Sequence, residues 1–333
     1  MKIIQLVPGQ RITKPGFYQC DAETYFSDPC IEPSFTQSLA KIVLDQSVKH
    51  AKQEHPRLTP VEADDETEKY SHDRAIGNAA HSLLIGRGKR LAVADFDDWR
   101  TKDAKAFRDE ALADGSEPVL AADYEEAVAI VKAAREQFAQ TEGWENLFSA
   151  EGHGEVVAAW QEGGLWFRTM IDWLPSPLSP VDFKTTGGSA APQSVEAKLF
   201  EDGWDIQAAM HERALDVLDP ENAGRRAFRF ALIENYAPYA LTPVDLSESF
   251  LALGRRRLDA AAQIWAKAMR DNNWQAYPLK PVIASCPAWA EAKWMEREIA
   301  LRDSGAITDD WIIGKAEPPR KEAQPKLSNI LAG

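Results

Sequence analysis

The chain has 333 residues and a mass of 37.0 kDa, with 38 basic and 52 acidic side chains and a net charge of −14. That balance excludes a protein that coats nucleic acid by bulk charge, though not one with a local basic groove. No apolar run approaches the roughly 18–20 residues of a helical membrane span, so no membrane partner is expected. Three cysteines, Cys20, Cys30 and Cys286, form no C-x-x-C pair. They argue against a disulfide framework, a zinc knuckle or an iron–sulfur cluster. The opening Met1-Lys2-Ile3-Ile4 has no basic region followed by a long apolar stretch, and a cytoplasmic location is expected.

Residues 1–33, rich in Pro, Gly and aromatics, predict an irregular arm or short strands. Ser34 is placed to cap a helix carrying Leu39, Ile42, Val43 and Val48. The acidic stretch around Asp64-Asp65-Glu66 reads as a solvated loop. Helical patterns follow at about 71–86, 100–113 and 121–141. After Gly143 the period changes. Glu155–Trp160, a Gly163-Gly164 turn and Leu165–Ile171 read as a hairpin, and Val181–Thr185 as a third strand. Ser194–Leu218 is helical with a break near Gly203; Ala227–Tyr236 and Tyr239–Val244 are a strand pair; helices close the pattern at about 247–271 and 288–303. The expected organisation is an arm, then one domain over 34–303, then a flexible tail over 304–333. Within the domain, 34–145 is a helical part, 150–245 a sheet core and 246–303 C-terminal helices. The order of elements implies an α/β domain with a small mixed sheet flanked by helices.

The chemistry concentrates in Met170-Ile171-Asp172-Trp173 and Val181-Asp182-Phe183-Lys184. Asp182 and Lys184, two apart on a strand, share a face. If the two strands are neighbours, Asp172 and Asp182 converge. Two carboxylates at one point repel unless a cation lies between them. Oxygen ligands with open positions suit Mg²⁺ or Mn²⁺, and a lysine beside such an ion can orient water and offset phosphate charge. Taken alone, D-x-K reads far more readily as two surface acids and a lysine on a solvated edge strand.

Three segments, in order, resemble the PD-(D/E)xK nuclease superfamily, which has a restriction-endonuclease-like core. More narrowly they are similar to exodeoxyribonuclease VIII and RecB-type nuclease domains of phages and bacteria. They are Gly77-Asn78-Ala79-Ala80-His81-Ser82-Leu83-Leu84, matching a G-x-A-x-H-x-L-L helix; Asp172 with Val181-Asp182-Phe183-Lys184-Thr185-Thr186, matching D…D-x-K-T-T; and Asp205-Ile206-Gln207-Ala208-Ala209-Met210-His211, matching Q-x-x-x-Y. Ile171 stands where the superfamily's proline is usual, and His211 where the tyrosine is. The resemblance implies metal ligation by Asp172, Asp182, the Phe183 carbonyl and a neutral His81. It implies that Lys184 positions the attacking water, and that Gln207 orients Lys184 or meets the DNA backbone. Read without it, His81 is a packed or capping histidine and Gln207 a helix-surface residue.

Glu155 reads as a surface acid, with a water-bridged contact to the metal as the alternative. Thr185 and Thr186 either touch phosphate or end the strand. Arg168 is expected on the face of Asp172, able to pair with it or with a phosphate. Trp173 and Trp204 are candidates for stacking on bases. Residues 225–302 carry twelve Lys and Arg against eight Asp and Glu. Arg225, Arg226, Arg229 and Arg255-Arg256-Arg257 are therefore candidate backbone contacts, with a solvated face as the alternative. His55, His72 and His153 are expected to face solvent. The resemblance implies a Mg²⁺- or Mn²⁺-dependent 5′–3′ exonuclease on linear duplex ends, working in recombination in a phage or bacterial setting. It also implies a homo-oligomeric ring and a single-strand-annealing partner. An endonuclease or processing nuclease of a defence or integration system, and a non-catalytic DNA-binding protein, are the rival readings.

Overall fold

A computed structural model describes residues 1–59, 70–148, 152–175 and 180–308. The acidic loop at 64–68 and the tail beyond residue 308 lie outside the described residues. The chain divides into two compact units, Met1–Tyr277 and Pro278–Gly333.

The first unit opens with β1 (Ile3–Gln5), β2 (Gly16–Gln19), α1 (Ala22–Phe26) and β3 (Ser34–Phe35). Five helices and a small strand pair follow: α2 (Gln37–Asp45), α3 (Val48–Glu54), α4 (His72–Ile85), β4 (Leu91–Ala94), α5 (Lys102–Ala113), β5 (Glu117–Leu120) and α6 (Ala121–Phe138). The hairpin is β6 (Gly152–Glu162) and β7 (Leu165–Pro175), turning at Gly163 and Gly164, both at positive φ. Then come β8 (Val181–Thr186), α7 (Pro192–Glu201), α8 (Trp204–Leu218), β9 (Arg229–Glu234), β10 (Leu241–Asp245) and α9 (Glu248–Asp271). The second unit contains α10 (Ala288–Asp303). Among the described residues no helix is long and apolar enough to cross a membrane.

Eight strands form one mixed sheet in the order β1-β2-β6-β7-β8-β9-β10, with β3 alongside β7. β8 and β9 are parallel; β6, β7 and β8 are antiparallel neighbours. One core lies under α2, α8 and α9, built on Val156, Trp160, Ile171, Ile206, Met210 and Trp265. A second lies under α4 and α6, built on Ala80, Leu84, Ile130, Trp173, Phe183 and Ile233. The α/β sheet expected from the sequence is present, and the helix periodicities correspond to real helices.

Three expectations need correction. The first 33 residues are not a separate arm, because β2 pairs with β6 and extends the sheet. Ser34 is a strand residue: its hydroxyl donates to the Asp28 carboxylate at 2.7 Å, and the Thr36 hydroxyl caps α2 by accepting from Leu39 N. His55 is fully buried rather than solvent-facing, with Nε2 3.3 Å from Asp28. Asp28 itself is buried, and Arg168, Arg57 and the Ser34 N–H also surround it. A buried carboxylate is tolerated only when so compensated, and this knot fastens the N-terminal segment to the sheet.

Candidate active site

The site forms where β7 and β8 part. These antiparallel strands share a single pairing, Trp173 with Val181. Beyond it the ladder opens, and the Asp172 carboxylate reaches across to accept from the Phe183 N–H at 3.4 Å. Asp182 is fully buried one residue away. Its Oδ1 lies 2.5 Å from Lys184 Nζ, as two residues on one strand face allow. Its Oδ2 accepts from the amide of Gln207 on α8. From the opposite side of the sheet α4 supplies His81, whose Nε2 is 3.3 Å from Asp172 Oδ2.

Gly77 lets α4 come this close. A Cβ there would fall 2.7 Å from Thr185 Oγ1 on β8. Gly77→Ala is expected to push α4 outward and displace His81, lowering kcat about tenfold while the circular dichroism spectrum is unchanged. Unchanged kinetics would show that the close approach does not position His81.

Glu155 belongs to the same cluster. Gly154 pairs with Trp173 and Val156 with Ile171, but Glu155, opposite Asp172, makes no ladder pair and has φ +52°. A non-glycine residue in this region costs roughly 1–3 kcal/mol, a strain that persists where surrounding structure imposes it. The surface-acid reading is therefore corrected: burial raises the Glu155 carboxyl, with the His81 charge opposing and Asp172 adding to the rise.

The two aspartates divide their roles. Burial works against the charge of Asp172, but His81 and Lys184 outweigh it and hold its carboxyl well below the usual range. Asp182 is pushed up to about 7, first by burial and then by the Asp172 charge, with Lys184 opposing. His81 is raised, because Asp172, Asp182 and Glu155 overcome the effect of burial. Lys184 is raised by Asp182 and Asp172 against its own burial. His211, one helical turn after Gln207, is buried beside this cluster. Burial lowers it to about 4, which keeps it neutral, and neither ring nitrogen meets a well-aligned hydrogen-bond partner.

The buried Asp182, the half-buried Asp172, an imidazole and a nearby backbone form a donor set suited to a hard divalent cation. Among the described residues, no three His, Cys, Asp or Glu side chains close round one point as they stand. Asp172 is turned to His81, and Asp182 to Lys184 and Gln207. The negative charge is thus balanced by protonatable groups of the chain itself.

Several sequence candidates lie elsewhere. Arg168 is 4% exposed and bonds Ser34 Oγ at 2.5 Å and Asp28 at 3.1 Å. Four residues along a strand is roughly 13 Å, too far for it to pair with Asp172. Trp173 is buried, donating to the Leu147 carbonyl at 2.7 Å and stacking on Phe148, so it has no open face for a base. Gln207 touches Asp182 rather than Lys184. Thr186 accepts from the Gly188 N–H and ends the strand, and Thr185 faces Gly77. Trp204 stays at the site, stacked on Phe230 with Lys184 Nζ 5.9 Å from its ring.

Four of the six candidate arginines are paired internally, while Arg225 and Arg256 are exposed and take part in no salt bridge among the described residues. Arg255 pairs with Glu212 and Glu248, Arg257 with Asp205, Arg226 with Asp216 and Asp219, and Arg229 with Asp245. Arg225 is exposed, outside any strand or helix. His72 pairs with Asp123, and His153 is exposed. The sequence reading passed over Arg87, whose charge acts on Glu155. The run Gly86-Arg87-Gly88-Lys89-Arg90, directly after the histidine helix, was the signal that could have found it.

No protein-family model matches the chain. No curated protein matches it. Among solved structures, the crystal structure of a candidate exonuclease from Eubacterium rectale superposes on 82% of this chain and 98% of its own, with a TM-score of 0.53 and 12% identity. The likeness is one of fold: a mixed sheet flanked by helices, of the nuclease-like kind.

Proposed function

We propose that the chain is a Mg²⁺- or Mn²⁺-dependent deoxyribonuclease acting on linear duplex ends in the 5′–3′ direction. The observation that carries this reading is the Asp172/Asp182 pair at the parting of β7 and β8, one half-buried and one fully buried, with Lys184 and His81 against it. The fold likeness supports the nuclease part; the exonuclease part follows from the resemblance to exodeoxyribonuclease VIII-type domains and from the exonuclease name of the structural neighbour, since the motifs alone do not separate exo- from endonucleolysis.

Asp172, Asp182 and a deprotonated His81 would hold the ion, with the Phe183 carbonyl as a further oxygen. When bound, such an ion would supply Lewis acidity toward water and would offset charge on the phosphate. Lys184 Nζ, fixed beside Asp182, orients the attacking water and faces the negative charge that grows on the phosphoryl oxygens. Gln207 keeps the Asp182 carboxylate from rotating away. Water adds to phosphorus, the P–O3′ bond breaks, and the products are a 5′-phosphate and a 3′-hydroxyl.

Linear duplex labelled at the 5′ or the 3′ end, and covalently closed circles, incubated with Mg²⁺ or Mn²⁺, test this directly. Early release of the 5′ label with intact circles is the expected result. Nicked circles would replace the exonuclease with an endonuclease. No hydrolysis of any DNA would overturn the reading.

A further inference from the structure

Arg226, Arg229, Arg255 and Arg257 are paired with acids of this chain, so cations closer to the carboxylates become the stronger candidates for holding a polyanionic strand. The turn that follows α4 provides them. Gly86 ends the helix at φ +69°, and its N–H donates to the Ser82 carbonyl. Gly88, at φ +114°, presses on the helix so closely that a Cβ would fall 2.5 Å from Ser82 Oγ and 3.7 Å from Glu155 Oε1. Across the gap, a Cβ on Gly154 would fall 2.8 Å from Arg87 Cγ. The aliphatic stem of Arg87 therefore lies in the notch that Gly154 leaves on β6, one residue before Glu155.

Arg87 and Lys89 are exposed, and among the described residues neither makes a salt bridge within 4.0 Å, though the charge of Arg87 acts on Glu155 and that of Lys89 on Asp21. An open groove of about 310 Å³ runs beside them, lined also by Ser82 and Tyr124. Two cations on a glycine-shaped turn, with a groove at their side and the Arg87 stem against Gly154, next to Glu155, offer a nucleic-acid backbone charged partners beside the carboxylate cluster. Arginine suits this role through its planar fork of donors, and lysine as a point charge.

We propose that Arg87 and Lys89 form the phosphate-gripping edge of the site, holding the sugar–phosphate backbone of the nucleic-acid strand next to the phosphate presented to Asp172 and Asp182. This assignment rests on the nuclease reading. The two cations anchor the strand and take no part in bond breaking, so their loss falls on binding.

The test is the double variant Arg87→Ala/Lys89→Ala, with a fluorescent linear duplex as probe. Kd is measured against NaCl concentration, and KM and kcat are measured with Mg²⁺. Kd and KM are expected to rise about tenfold with kcat within about threefold, and the log–log salt slope to fall in magnitude by about 1–2. Arg87→Lys should restore most of the slope. Lys267→Ala/Arg270→Ala, which removes the same charge from α9, should leave it unchanged. An unchanged Kd and slope in the first variant, with wild type hydrolysing DNA, would overturn this assignment and leave the nuclease reading intact. Wild type that binds DNA but hydrolyses none would end the nuclease reading, while a reduced slope in the variant would still support the contact. Wild type that binds no nucleic acid would overturn both.

Discussion

Asp182→Asn is expected to lower metal-dependent hydrolysis by about 1,000-fold or more, the scale on which charge stabilisation and metal activation act in such sites. Asp182 meets every demand at once: it is fully buried, it touches Lys184 and Gln207, and its charge raises His81. Lys184→Ala is expected to cost about 100-fold or more in kcat by a different route. It removes the group that orients water and leaves both carboxylates in place, so metal binding should not weaken. The two variants thus separate the ion-holding role from the water-orienting role. If Asp182→Asn retained more than about a tenth of wild-type activity, the carboxylate pair would not be the centre of the chemistry. The asparagine is nearly isosteric, so folding should survive. In the metal-free protein above pH 7 it should raise Tm by a few degrees, because it removes a charge that burial disfavours.

Metal binding is expected to depend steeply on pH between about 5.5 and 7. Below neutrality Asp182, pushed up to about 7, and His81, raised above its ordinary value, both carry protons that a metal must displace. Each released proton changes the apparent affinity roughly tenfold per pH unit. The affinity should therefore climb by up to about 100-fold per unit at the acid end and level off once both groups have lost their protons. The stability of the metal-free protein runs the other way. The folded Asp182 and His81 bind protons more tightly than their unfolded counterparts, so the stability they contribute is present at low pH and is lost as pH rises through their folded values. Asp172 is opposite in sign, its contribution being present above its unfolded value and lost only in strong acid. Added Mg²⁺ should recover the Tm lost between pH 5.5 and 8. A pH-independent affinity would mean that neither group is a ligand.

How much of this was legible in the sequence follows from the range over which each interaction acts. The two-residue period of β8 put Asp182 and Lys184 on one face. The four-residue step of α8 put Gln207 and His211 on one side of a helix. The Gly163-Gly164 turn set β6 against β7. Those are local rules, and the structure follows them. Arg168 and Arg255 were misread because their partners are far away in the chain: Asp28 and Ser34 precede Arg168 by more than a hundred residues, and Glu212 precedes Arg255 by 43. A charge count along the chain cannot show that such arginines are already neutralised. Glu155 was undervalued because its role depends on a left-handed backbone that strand alternation does not anticipate. Trp173 looked available because it neighbours Asp172, yet the next residue along a strand points to the other face, here into the core under α4 and α6.

The most direct test of the central claim is calorimetric titration of Mn²⁺ into wild type, Asp182→Asn and His81→Ala at pH 6 and pH 8, in buffers of differing ionisation enthalpy. Saturable binding in wild type, with one to two protons released at pH 6 and few at pH 8, and loss of that binding in both variants, is the expected result. Equal binding in all three proteins, or binding without proton release at pH 6, would contradict a metal centre built on Asp172, Asp182 and His81.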